Sequence, residues 1–152
     1  MDITSYLLGK KSSGGGTDLS EYFGDITKPV WNPGAYVKKI PYDIDVDGVT
    51  NLGSFFQHWQ NLESVTLKNA NSVTMIRTLF DGCKKLMFID IRDITISTMS
   101  YSNYQSFLGS YSNGRVPYNC LIVVKDSTEK EWLNTNFSEY TNVKTVDEYE
   151  NS

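Results

Sequence analysis

Residues 54–67 read SFFQHWQNLESVTL, and residues 78–91 read TLFDGCKKLMFIDI. Laid over one another at an offset of 24, they set Phe56 on Phe80, Trp59 on Cys83, Leu62 on Leu86, Val65 on Ile89 and Leu67 on Ile91. The match extends upstream to Leu52 and Ile76. A fixed period in the twenties is the signature of stacked repeats, none of which can bury its apolar face alone. Within each copy the spacing changes midway. Phe56, Trp59 and Leu62 recur every third residue, and Val65 and Leu67 every second. The first half predicts a short helix, the second a strand, with a turn at Gln60-Asn61 or Lys84-Lys85. Stacking such units lays the strands in a parallel sheet with the helices on its opposite side.

Outward from this core, the expected fold is α/β: a short solenoid with an extended N-terminal arm and a C-terminal capping helix. Residues 37–46, VKKIPYDIDV, alternate as a strand with Ile44 and Val46 in and Asp43 and Asp45 out, and serve as an irregular first coil. Residues 97–119 break the repeat; Phe107 and Leu108 begin a third helical turn, and Leu121, Val123 and Val124 make the next strand. Asp126 with Glu129 three residues on predicts a capping box for a helix that turns Trp132, Leu133 and Phe137 inward. Val143 and Val146 read as a last extended piece before the polar tail DEYENS. The division expected is an arm over 1–36 and a repeat domain over 37–152.

The arm has its own composition. Tyr6, Leu7 and Leu8 form an apolar plug, SSGGG over 12–16 is a hinge, and Tyr22, Phe23 and Trp31 follow, the last between Pro29 and Pro33. These six large side chains are the expected anchoring residues. A P-loop reading of Gly9-Lys10 fails, because Thr4 stands where its first glycine belongs.

Composition narrows the functional classes. The chain has 152 residues with 14 Lys and Arg against 18 Asp and Glu, a net charge of −4. No basic stripe is present to displace counterions, so nucleic acid is not an expected partner. No long apolar run predicts membrane insertion. The opening MDITSYLLGKK places its lysines after a very short apolar patch, which does not read as a signal peptide, and synthesis in the cytosol is expected. Cys83 and Cys120 are read as packing residues, and His58, the sole histidine, as a surface residue. No nucleophile has a base at recognisable spacing, so no enzymatic activity and no cofactor is expected. Asp43, Asp45, Asp47 and Gly48 echo the start of a calcium loop, but Ser54 stands at the closing position, and no metal is expected.

The units resemble the BspA-type leucine-rich repeat, roughly F-x-x-C-x-x-L-x-x-I-x-I; Phe80, Cys83, Leu86, Ile89 and Ile91 match it, and the first copy departs at Trp59. The C-terminal stretch CLIVVKDSTEKEWLNTNFSEYTNVKTVDEY resembles the closing segment of such proteins in bacteria and in phages of Gram-positive hosts, and YLLGKKSSGGGTDLSEYF is similar to the N-terminus of small phage structural proteins. The resemblance implies a virion structural protein: a capsid- or tail-associated fibre, decoration or host-adhesion component. Its partners would be other virion proteins reached through the arm, copies of itself on the particle, and a host surface glycan or protein. An exported repeat protein needs a signal, so its absence favours the virion; a bacterial cell-surface adhesin fragment and a glycan-binding accessory module are the alternatives.

The expected recognition surface is the 97–119 insertion, rich in Tyr, Ser, Asn and Gly, with Arg115 its only charge. Such a mixture gives large contact area at small entropic cost. Tyr101, Tyr104, Tyr111, Asn113 and Tyr118 are the expected ligand-binding residues.

Overall fold

The computed structural model describes residues 33–40 and 43–152. The anchoring residues Tyr6, Leu7, Leu8, Tyr22, Phe23 and Trp31 lie outside them. The protein is mixed α/β, built on one parallel sheet of five strands with few short helices. The strands are β1 (Ile44–Asp45), β2 (Ser64–Lys68), β3 (Phe88–Asp90), β6 (Leu121–Val124) and β7 (Val143–Thr145), adjacent in that order. A separate antiparallel hairpin pairs β4 (Gly109–Ser110) with β5 (Gly114–Arg115).

The 24-residue echo is the register of the sheet. Val65 pairs with Ile89, and Ile89 with Ile122, and all three are buried. Phe56 stacks on Phe80 with centroids 5.7 Å apart and planes 11° apart. Side chains repeat the step: Ser54 Oγ meets Thr78 Oγ1 at 2.7 Å, and Gln57 Nε2 donates to Asp81 Oδ2 at 3.2 Å. Thus the residues alike in sequence sit one above the other, and each layer covers the apolar face of the last.

The helix expected in each repeat does not form. Residues 52–59 and 76–83 are chains of tight turns instead. Leu52, Ser54 and Phe56 carbonyls accept from the N–H groups three residues on, as do those of Ile76, Thr78 and Phe80. The N–H groups of Leu52, Ser54, Phe56 and His58 are spent elsewhere, on Met75, Arg77, Leu79 and Asp81 carbonyls of the next coil. An α-helix needs every donor for its own i−4 carbonyl. Here every second donor bridges coils, and Ser54, His58 and Thr78 take left-handed φ of 61°, 67° and 55°, which no helix admits. An apolar spacing of three suits successive turns as well as a helix. The face opposite the sheet is therefore turns.

Gly82 shows how tightly these coils approach. Its φ is +86°, and a Cβ there would lie 3.1 Å from the His58 Cα. Glycine is the residue that meets both conditions.

The third coil is longer. Phe88 pairs with Leu121, a step of 33 rather than 24, so nine residues are added. They make room for α1 (Tyr101–Tyr104) and the β4–β5 hairpin. The helix falls at Tyr101–Tyr104, not at Phe107 and Leu108, which are buried in the turn ladder. Of the strand expected over 37–46, the described residues show β1 and an isolated bridge from Lys39 to Ser64. A 3-10 turn, Pro33–Tyr36, within the stretch expected as the arm, lies against the first coil: Asn61 Nδ2 donates to the Ala35 carbonyl at 2.7 Å.

Two C-terminal expectations are corrected. Helix α2 (Ser127–Asn136) is capped by Asp126, which accepts from the Glu129 N–H at 3.1 Å. The Glu129 side chain does not return to the cap. It is buried and accepts from the Ile96 and Ser97 N–H groups at 2.6 and 3.0 Å and from the Ser97 hydroxyl. Two orphan amides inside outbid one donor at the helix end. The last extended piece is found at Val143–Thr145, but Val146 and the polar tail form helix α3 (Val146–Glu150), with a complete capping box between Thr145 and Glu148. Its Tyr149 ring lies 5.7 Å from Phe88, and Glu150 takes Arg92 Nη1 at 2.8 Å, so α3 covers part of the sheet's outer face.

Candidate functional site

The site is built where the register fails. Asp81, in the turn ladder, is buried at 2% exposure and gathers four donors: the Ser110 N–H at 2.9 Å and hydroxyl at 2.8 Å, Asn113 Nδ2 at 2.7 Å, and Gln57 Nε2. Burial pushes its carboxyl up, but the bonds from Asn113, Ser110 and Gln57 outweigh it and hold the group below its usual value. One ionised side chain therefore fastens the β4–β5 hairpin to the second coil.

A wall of aromatic rings faces the hairpin. Tyr104 stands edge-on to Trp132 at 4.8 Å and to Tyr101 at 5.5 Å, and Phe107 edge-on to Phe137 at 5.1 Å. Tyr140 donates its hydroxyl to the Val116 carbonyl at 2.8 Å and the Leu108 carbonyl at 3.3 Å, so the segment after α2 is pinned under the insertion. Edge-to-face contacts fix ring orientation at little entropic cost.

Between hairpin and wall lies a cleft of about 530 Å³, lined by both parts of the chain. Tyr101 and Tyr111 stand 64% and 90% exposed at its mouth. The Arg115 guanidinium sits 4.0 Å from the Tyr111 ring centroid, a cation–π contact that backs one face of the ring. Arg115 also donates to the Tyr118 hydroxyl at 3.0 Å and lies 3.7 Å from Glu139. Gln105, Ser106 and Asn136 add polar groups to the lining, and Leu108 and Phe137 apolar ones.

Of the five residues expected from sequence, Tyr101, Tyr104 and Tyr111 meet in this cleft. Asn113 and Tyr118 do not line it. Asn113 is turned under the hairpin onto Asp81, and Tyr118 stands edge-on to Tyr140 at 5.2 Å. Both hold the frame rather than the opening. Sequence reasoning missed Arg115, Asn136 and Glu139. Arg115 carried a signal, as the insertion's one charge; Asn136, the last residue of α2, and Glu139, just beyond it, carried none.

A second recess, of about 490 Å³, opens on the sheet face beside α3, lined among others by Asp43, Lys68, Asp90, Arg92 and Tyr149. Its strongest charge is already met: Arg92 bonds Asp90 at 2.8 Å and Glu150 at 2.8 Å. No group of three or more metal-binding side chains occurs among the described residues. Asp45 is engaged by the Asp47 N–H and Asn69 Nδ2 at 3.0 and 3.1 Å.

The thiols are inert by position. Cys83 is fully buried and donates to the Phe56 carbonyl at 3.1 Å; burial, above all, pushes its pKa far up. Burial pushes Cys120 up to about 12. Neither is a thiolate at neutral pH. His58 is half-buried in the first turn ladder and gives its N–H to the Asp81 carbonyl. No helix among the described residues is long and apolar enough to cross a membrane. No protein-family model, curated protein or solved structure matches this chain.

Proposed function

We propose that this protein is a non-catalytic recognition module. It is a short leucine-rich-repeat solenoid of the BspA type, carried on a phage virion as a fibre, decoration or host-adhesion component. In this reading the repeats are a rigid mount and residues 1–36 attach the mount to other virion proteins. The observation that carries it is the cleft: three tyrosines of the insertion converge there, Tyr101 and Tyr104 from α1 and Tyr111 from a hairpin fastened by Asp81 to the regular coils. Exposed rings held by a stiff frame bind without a large ordering cost. Many copies on one particle would turn a weak single contact into firm attachment.

The test is adsorption. Particles from a strain carrying the gene should be labelled by antibody against the repeat domain. Particles bearing Tyr101→Ala with Tyr111→Ala should keep the label and lose host adsorption by tenfold or more. Unlabelled particles, or full adsorption with both tyrosines removed, contradict the proposal.

A further inference from the structure

The cleft's chemistry also points to what it takes. Resting on the recognition reading above, we propose that its ligand is a neutral saccharide, bound with one pyranose face on Tyr111.

Three observations converge. First, Tyr111 offers a single open face. Arg115 occupies the other at 4.0 Å, so a flat ligand meets the ring from one direction only. A guanidinium behind a ring favours that one placement of the ring. Tyr101, braced edge-on by Tyr104, gives a second exposed ring at the same mouth. Two braced aromatic faces over a concave opening suit the CH-rich faces of adjoining sugar rings, and a cleft of about 530 Å³ is within the range of small-molecule sites.

Second, the polar groups beside these rings are uncharged or mutually compensated. Gln105, Ser106 and Asn136 present amides and a hydroxyl, which exchange hydrogen bonds with sugar hydroxyls in either sense. Asn136 spends one amide N–H on the Trp132 carbonyl at 2.9 Å, which fixes the orientation of the rest of the group. Glu139 adds acceptor oxygens.

Third, the cation in the lining, Arg115, already faces a carboxylate, and its Nε, which has no hydrogen-bond partner, is buried. Arg115 gives its face to Tyr111, one N–H to Tyr118, and lies 3.7 Å from Glu139. An anionic ligand would compete with Glu139 for that charge and meet its carboxylate at the same mouth. Like charges at short range oppose binding. A neutral ligand meets no such opposition. A protein partner is less well served, since a stable interface needs about 800 Å² per partner and an apolar centre, whereas the surface between these rings is polar.

Affinity gel electrophoresis through immobilised polysaccharides tests the proposal. Neutral polymers (amylose, cellulose derivative, chitin derivative, β-1,3-glucan, mannan and galactan) are compared with polyanions (pectate and alginate). The full chain should be retarded by at least one neutral polymer. Tyr111→Ala should weaken that retardation at least tenfold, and Asn136→Ala several-fold. Lys68→Ala, at the sheet recess, should leave it unchanged. Retardation only by polyanions, none by any neutral polymer, or retardation untouched by Tyr111→Ala overturns the saccharide. The two proposals fail separately: adsorption lost in the tyrosine variants, with no neutral polymer bound, removes the sugar and leaves the cleft as the recognition surface.

Discussion

Asn113 Nδ2 donates to Asp81 Oδ2 at 2.7 Å, and through this bond a hairpin that breaks the repeat is tied to a residue that belongs to it. Asp81 lies one 24-residue step above Gln57, and the two are bonded to each other. The carboxylate thus faces the repeat on one side and the insertion on the other. Replacing it by Ala leaves the Ser110 N–H and the Asn113 amide without their acceptor, at about 2–3 kcal/mol. Asp81→Asn keeps one acceptor and should cost about 1–2 kcal/mol. The carboxyl is held below its ordinary 3.8 in the fold. A depressed carboxyl stabilises the fold above the unfolded value, and that stability is lost as pH falls from about 4 toward the lower folded value. Urea unfolding across pH 2–6 should show this acid slope in the wild type and a flatter one in Asp81→Asn.

Gly82 and Gly48 separate backbone strain from stacking. Both take positive φ, +86° and +76°, but a Cβ at Gly48 meets nothing within 4 Å, while one at Gly82 meets the His58 backbone. Gly48→Ala should cost about 1 kcal/mol for the left-handed conformation alone. Gly82→Ala should cost about 2–3 kcal/mol, the excess being the coil-to-coil contact. Thermal melts of the two variants check the order.

Glu129 is a buried carboxylate whose donors are two backbone amides and a hydroxyl. Glu129→Ala should destabilise by about 2–4 kcal/mol, because Ile96 and Ser97 N–H groups lose their acceptor inside the fold. Glu129→Gln should retain about half of that. If Glu129 served the α2 capping box instead, Ala would cost about 1 kcal/mol or less. Denaturant midpoints distinguish the two.

Tyr140 gives the alkaline counterpart. Burial, with the neighbouring Tyr118 second, pushes its phenol well above the ordinary 10. A group whose folded value is raised lends stability that is complete below about pH 10 and is lost as pH rises through the folded value. Tyr140→Phe should lose about 1–2 kcal/mol at neutral pH, since the Val116 carbonyl loses its donor. It should also lose stability less steeply above pH 10 than the wild type.

The parallel sheet was legible because its register is the sequence offset itself. Phe56 over Phe80 and Val65 beside Ile89 are read by aligning two lines of text. The turn ladder was not, because apolar spacing of three fits both a helix and successive turns; what decides is where the Leu52, Ser54 and Phe56 donors go, and their partners lie 23 residues on. Tyr101, Tyr104 and Tyr111 were legible as a composition. Their company was not, since Asn136 and Glu139 reach the cleft only through the fold of a helix that begins after the fourth sheet strand. Glu129 shows the limit of a local motif: the spacing fits a capping box, and a deficit of acceptors 33 residues away claims the side chain.

The most direct test of the account is hydrogen–deuterium exchange of the whole protein with and without an excess of the retarding neutral polysaccharide, or of host envelope fragments where no polymer retards it. The account predicts added protection confined to peptides spanning 101–115 and 136–140. Protection on the sheet face instead, over 66–69 and 88–93, or none anywhere, would contradict the claim that this protein recognises its target through the tyrosine cleft.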